Sequence, residues 1–398
     1  MTVSAASAKS EERRALGVAC GAHALHDGYT DLVYVMLPIL QSEFGLGFAA
    51  LGLMKTVFSG TLAAFQIPSG FLAERFGSAV VLALGTALAG FGYCLVGLSN
   101  DVMLLVAALF VGGLGASTQH PLGSALIAHA FSGARSRTAL GTYNFAGDIG
   151  KMTLPAVASL LFVVLPWREA VALLGGLGVL AAIAIFIGMP RFRADAAAPR
   201  PSAASAPAGA AVHNYGFPLL LSVGVIDSTT RMAFLTFLPF VLTAKGASLP
   251  TVGLALTLVF AGGAAGKLIC AYIGVRIGTV ATVWLTEAVT ALGIVAVLPL
   301  SLEAALVLLP VVGIALNGTS SVLYGSVPDL VAPARRQRAF GIFYTGTIGA
   351  GAVSPAIYGL LGDAVGITPT LVVVAAVVLL TLPITLVLRP ALASSVSA

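Results

Sequence analysis

The chain predicts an all-α membrane protein: twelve transmembrane helices in two pseudo-symmetric six-helix bundles. Three observations lead there. Of 398 residues, 58% are hydrophobic and 9% charged, with a mean hydropathy of +1.03; a soluble domain carries roughly 25% charged residues. The apolar runs last about 20 residues or more, long enough for helices that cross about 30 Å of hydrocarbon, and they lack the short alternation of an outer-membrane barrel. The second half also repeats the first. Leu37-Pro38 recurs as Leu238-Pro239, Arg75 and Gly77 as Arg276 and Gly278, Ala134-Arg135 as Ala334-Arg335, and Pro155 as Pro355.

Apolar runs read against polar breaks give spans at 15–40, 47–72, 78–98, 102–130, 138–165 and 168–189, then 215–243, 248–272, 279–299, 302–330, 339–362 and 367–389. The expected organisation is a cytoplasmic tail over 1–14, a six-helix bundle over 15–189, a cytoplasmic linker over 190–214, a second bundle over 215–389 and a cytoplasmic tail over 390–398. The linker holds Pro190, Pro199, Pro201 and many Ala and Ser, the composition of a solvated connection. The first apolar segment contains His23, His26, Asp27 and Asp31 and has no clean cleavage site, so it reads as a retained span and not a secretory signal. Cys20, Cys94 and Cys270 lie in separate spans and read as packing residues, with no disulfide or metal site implied.

Orientation follows from Lys and Arg. With the N-terminus inside, Lys9, Arg13, Arg14, Arg75, Arg135, Arg137, Arg191, Arg193, Arg200, Arg276, Arg335, Arg336, Arg338 and Arg389 face the cytoplasm, against Arg168 and Lys245 outside. The predicted location is a bacterial inner membrane with both termini cytoplasmic. The net charge of +5 is a product of this topology and does not indicate nucleic acid.

The other four basic residues, Lys55, Lys151, Arg231 and Lys267, fall within spans, as do Asp27, Asp31, Asp148, Asp227 and Glu287. A charge at mid-bilayer costs at least about 2.5–3.5 kcal/mol. A chain that bears this repeatedly encloses a polar cavity or pathway. His23, Asp27 and Asp31 are spaced i, i+4, i+8 and form one helical stripe, with Tyr34 three residues on. The functional reading makes Asp27, Asp31, His23 and His26 a titratable proton site; the alternative is a fixed polar network holding the first span to its neighbours. His120-Pro121 marks a bend in the fourth span, with histidine either bonding at the kink or facing the cavity. Asp148 and Lys151 (i, i+3) and Asp227 and Arg231 (i, i+4) either neutralise each other locally or hold an anionic substrate group on the base while the acid is freed. Lys55 and Lys267 are expected to snorkel to the interfaces, and Glu287 to be structural.

Two motifs carry a resemblance. Gly70-Phe71-Leu72-Ala73-Glu74-Arg75-Phe76-Gly77 resembles the signature loop G-x-L-a-D-r-x-G of the major facilitator superfamily, with Glu74 in place of Asp. The resemblance implies a gating role for Gly70, Glu74, Arg75 and Gly77. His23-Ala24-Leu25-His26-Asp27, Leu37-Pro38, Gln41-Ser42-Glu43-Phe44, His120-Pro121 and Gly147-Asp148-Ile149-Gly150 resemble the fosmidomycin-resistance efflux proteins of that superfamily. That family usually carries Asn where this chain has His26 and Asp148.

The resulting expectation is a secondary active transporter working by alternating access. The first reading is proton-coupled efflux, by antiport, of a small drug-like or metabolite compound, with an anionic substrate as one option. Asp27, Asp31, His23 and His26 would carry the proton, and Lys151, Arg231, Asp148, Asp227, His120 and Tyr34 would hold substrate. The alternatives are proton-coupled uptake of an organic acid, and metal or metalloid export using His23, His26 and Asp27. No enzyme motif is present: there is no Walker loop and no HExxH. No cofactor or resident metal is expected. The partners are substrate, protons and the bilayer, with a monomer as the functional unit.

Overall fold

A computed structural model describes residues 5–131, 133–190, 215–332 and 335–396. Helices dominate the described residues, and no strand occurs among them. In chain order they are α1 (Ala5–Phe44), α2 (Phe48–Phe76), α3 (Ser78–Leu98), α4 (Val102–Ala116), α5 (Gln119–Ala130), α6 (Gly133–Val164), α7 (Trp167–Gly188), α8 (Gly216–Ala244), α9 (Leu249–Ile277), α10 (Thr279–Val297), α11 (Leu302–Leu330), α12 (Arg336–Val365), α13 (Ile367–Val378) and α14 (Thr381–Val396). Among the described residues, eleven segments are long and apolar enough to cross a membrane. The twelfth is α1, whose charged residues lower its mean hydropathy.

Twelve expected spans become fourteen helices because two are broken. The span 102–130 divides into α4 and α5, and 367–389 into α13 and α14. Proline lacks an N–H, and its ring clashes with the carbonyl four residues earlier. Pro121 acts on Ser117 and Pro383 on Leu379, and the helices stop there. α1 starts at Ala5, ten residues ahead of the expected span, and α14 continues to Val396. Residues 191–214, which hold nearly all of the expected linker, lie outside the described residues.

The chain divides into two compact units: Met1–Gly45 with Met54–Arg200, and Leu46–Leu53 with Pro201–Ala398. In the first, α1 packs on α6, and α3 on α4 and α7. In the second, α8 packs on α12, α10 on α11 and α13, and α9 on α11. The pairs α1·α6 and α8·α12 occupy equivalent places in the repeat, as do α3·α4 and α10·α11. Gly77 (φ 88°) and Gly278 (φ 83°) make the same left-handed turn in each half, a conformation open to glycine because it lacks a Cβ. The start of α2 belongs to the second unit: the Phe48 and Ala49 N–H groups donate to the Asp363 carboxylate at 2.6 and 3.0 Å.

Candidate functional site

In the first unit, α1, α5 and α6 bring three ionisable side chains to one carboxylate. Asp27 is 5% exposed. Its Oδ2 lies 3.4 Å from His23 Nε2 and 3.3 Å from Lys151 Nζ, and its Oδ1 lies 3.6 Å from His120 Nε2. The His23 and His120 rings meet edge to face at 5.3 Å. The His120 and Lys151 side chains are 44% and 32% exposed, so the cluster is sealed on the α1 side and open on the side of α5 and α6.

Glycine makes this approach possible. On α6, Tyr143, Gly147, Gly150 and Leu154 form one stripe at helical spacing that faces α1. A Cβ on Gly150 would sit 1.8 Å from the Ala24 carbonyl oxygen, and one on Gly147 would sit 2.7 Å from Asp27 Oδ2 and 2.8 Å from His23 Nε2. The Gly147–Gly150 run is thus the contact that lets Lys151 reach across to Asp27. The helix break contributes too. Pro121 ends α4 and begins α5, which puts His120 in the first turn of a half-helix. Discontinuous helices at membrane depth commonly build transporter binding sites.

Hydrogen bonding fixes the protonation pattern of both histidines on α1. His23 Nδ1 lies 2.8 Å from the Tyr143 carbonyl oxygen. A carbonyl only accepts, so Nδ1 carries the hydrogen. A neutral His23 then turns the bare Nε2 lone pair toward the Asp27 carboxylate, and that nitrogen has no hydrogen-bond partner in the structure. Lone pair against carboxylate is repulsive; a single proton between them makes the contact favourable. The ring is held further by stacking on Tyr143 at 4.1 Å. Gln119 Nε2 donates in turn to the Tyr143 hydroxyl at 3.1 Å.

His26 is used differently. Its Nε2 lies 2.8 Å from Thr86 Oγ1. The Thr86 hydroxyl donates to the Leu82 carbonyl, so its oxygen accepts from His26 Nε2–H. This ties α1 to α3 and turns the ring away from a ligand set with His23 and Asp27. The expected His23–His26–Asp27 donor group is therefore not assembled. Among the described residues, the one group of ligand atoms close enough for a metal is His23, Asp27 and His120, within 4.8 Å of one another. There the Lys151 ammonium already supplies the positive charge on Asp27.

Several expected partnerships change. Lys151 reaches Asp27 of α1 across the helix interface at 3.3 Å, and Asp148 on its own helix also acts on it. Asp148 is itself buried at 8% exposure. Lys55 does not snorkel. It is fully buried, donates from Nζ to the Thr30 carbonyl at 2.7 Å and sits 4.0 Å from the centroid of the Tyr34 ring. Tyr34 is thus part of the lysine's cage. Asp31, 5% exposed, lies within electrostatic reach of Lys55.

In the second unit Asp227 is 4% exposed, and Arg231 Nη1 stands 3.9 Å from its Oδ2, a loose version of the expected pair. Gly70, Glu74 and Arg75 lie on the last turns of α2, Glu74 and Arg75 being exposed, and Gly77 makes the turn into α3. Tyr143, Gln119 and Thr86 were not singled out from the sequence. The spacing of Tyr143 with Gly147 and Gly150 was the signal available.

The sequence of both bundles matches a known family along nearly the whole chain. The Major Facilitator Superfamily model matches residues 19–222 and again 219–397. The chain belongs to that superfamily. It is 25% identical over 360 residues to the fosmidomycin resistance protein of Escherichia coli strain K12, covering 87% of this chain and 86% of that one. It is 31% identical over 167 residues to a probable sulfoacetate transporter of Cupriavidus necator, covering 41% of this chain and 38% of that relative's length. Among solved structures, a bacterial homologue of the human lysosomal transporter Spinster superposes with a TM-score of 0.79 at 14% identity, covering 97% and 98% of the two chains. That likeness is one of fold. The chain is a multi-pass membrane protein of a transporter superfamily.

Proposed function

We propose that this carrier couples the movement of protons to that of a small organic anion, with Asp27 as the shared element. The observation behind this reading is the contact of one buried carboxylate with Lys151, His23 and His120. With Asp27 ionised, Lys151 is engaged. A proton on Asp27 cancels its charge, and the partly exposed Lys151 and His120 become available to an anionic group. Ammonium and imidazole N–H groups suit carboxylate, sulfonate or phosphate oxygens. The sulfoacetate relative, whose named substrate is a small anion, supports the same substrate class.

The sign of the coupling follows from linkage. Whatever the proton does for anion affinity, the anion does for proton affinity. Because protonation frees the cation, each tightens the other and both load together. Under a proton gradient directed into the cell, that is uptake by cotransport. Export by exchange needs a substrate that competes with the proton, namely one with a cationic group that takes the place of Lys151 on Asp27. The resistance relative, aligned over most of both chains, favours this second reading. Both keep Asp27 at the centre.

The setting we infer is a bacterial inner membrane with cytoplasmic termini, supported by the distribution of basic residues. A single chain is taken as the working unit. Glu74 and Arg75 are read as cytoplasmic gating residues on the strength of the signature loop and their exposure.

Proteoliposomes test the proposal. With an imposed pH gradient, labelled sulfoacetate and a small panel of organic anions and cations are offered in turn. Anion entry accelerated by an acidic exterior supports cotransport, and proton-driven cation expulsion supports exchange. Fluxes of every probe indifferent to the gradient overturn proton coupling.

A further inference from the structure

The second unit holds a buried acid that the scheme above leaves unused. Glu287 of α10 is 1% exposed, and its Oε1 has no hydrogen-bond partner in the structure. The carboxyl is in hydrogen-bond contact with Thr319 of α11. The Thr319 hydroxyl has other acceptors within reach. The Thr319 hydroxyl donates its hydrogen to Thr286 Oγ1 at 2.7 Å, and Thr286 donates to the Thr282 carbonyl at 3.0 Å. The chain of donors ends on a backbone oxygen that can only accept. With its hydrogen on Thr286, or on the Ala315 carbonyl at 3.4 Å, Thr319 offers Glu287 an acceptor that a carboxyl carrying a hydrogen can use.

Charge balance gives the same answer independently. The charged groups acting on Glu287 are Asp227 and Arg231 of α8. α11 adds Tyr324, which lies within reach of Arg231. Two carboxylates facing one guanidinium would leave a net negative charge inside the unit, and an uncompensated buried charge is strongly unfavourable. One proton removes it. A metal cation is a poor substitute, because hard cations take about six oxygen ligands and Glu287 is not in the group of described residues whose ligand atoms lie close enough together for one.

We propose that Glu287 is a second proton-binding site, loaded in this conformation and separate from Asp27. Its part in a transport cycle rests on the proton-coupled reading given above; its loading does not. With both sites exchanging, two protons move per cycle, one through each unit.

Infrared difference spectroscopy on the full-length protein in lipid nanodiscs tests this through the C=O stretch of a protonated buried carboxyl. A band lost in Glu287→Gln and kept in Asp27→Asn is expected. It should fade reversibly as pH rises and shift to higher frequency in Thr319→Val, where the acceptor is gone. In Asp227→Asn, with one acid left for one guanidinium, the band should fade at lower pH than in the wild type. A spectrum unchanged by Glu287→Gln overturns the site. So does a band that persists unaltered to the alkaline limit of folding, since that proton would be a fixed structural one. Loss of proton-driven flux in Asp27→Asn with the Glu287 band intact bears on the first site alone, so failures of the two proposals are told apart.

Discussion

Replacing Asp27 with Asn should turn a pH-sensitive carrier into one fixed in its anion-accepting state. Asp27 Oδ2 and Lys151 Nζ are 3.3 Å apart. At that separation two unit charges attract by about 5 kcal/mol at an effective dielectric of about 20. Lys151 is about one-third exposed, so solvent screens part of this, and the coupling left between proton and anion falls near 1–3 kcal/mol, or about 5–150-fold in affinity. Asparagine keeps the shape and removes the charge. Its amide N–H can also donate to the bare His23 Nε2, which keeps that ring in place. The assay is equilibrium binding of sulfoacetate, or of whichever anion the flux panel selects, to purified protein from acid to alkaline pH. Wild-type affinity should weaken as pH rises. The Asn variant should bind at every pH about as tightly as wild type does at its acid limit, while Lys151→Gln binds weakly throughout. If Asp27→Asn keeps the wild-type pH slope, or binds the anion more weakly at alkaline pH than wild type does, Asp27 is not the group that gates Lys151.

The remaining predictions concern the frame around the cluster. Gly150→Ala drives a methyl into the Ala24 carbonyl and should cost about 1–3 kcal/mol or more as an overpacked interface, seen as a lower unfolding temperature in detergent; Gly141→Ala on the same helix meets nothing within 4 Å and should be neutral or slightly stabilising. Lys55→Met should destabilise, because it removes the ammonium bonded to the Thr30 carbonyl and weakens the electrostatic balance with Asp31, and the double variant with Asp31→Asn should recover part of that loss in denaturant titrations. Arg168 donates to Glu43 at 2.7 Å and, with other hydrogen bonding, holds the Glu43 carboxyl below the usual carboxylate range. A depressed folded-state value means the contribution is complete above the unfolded carboxylate value of about 4.3 and is lost as pH falls through the folded one. Stability of the wild type should therefore drop on acidification more than that of Arg168→Gln.

Membrane depth makes the fold legible from sequence and the site only half so. In lipid every backbone group must be satisfied within the helix, so length and hydropathy place spans almost without reference to packing: 78–98 and 302–330 were read from the sequence with the bounds the structure shows. Polar residues inside such spans are conspicuous, which is why Asp27, His23, His120 and Lys151 stood out on three separate stretches of chain. Their pairing was another matter. The i, i+3 rule assigns Lys151 to Asp148 because it considers one helix at a time. The partner is decided instead by how closely a second helix can approach, and here the absence of side chains at Gly147 and Gly150 brings α1 to within reach of a four-carbon ammonium stem. The same reasoning accounts for Lys55. Counting residues from the end of a span puts it near the interface, yet the Thr30 carbonyl and the Tyr34 ring give the ammonium a partner and a π-face on the neighbouring helix, and it stays buried. In a bundle built this way, glycines on one helix are as informative about a charged residue's partner as the charges themselves. Filling Gly147 with alanine should then disturb proton coupling as well as packing, since its methyl would press on both Asp27 Oδ2 and His23 Nε2. A variant that folds normally yet binds anion without pH dependence would place the coupling in that contact, and one that folds and keeps the wild-type pH slope would show that the His23–Asp27 spacing does not matter to it.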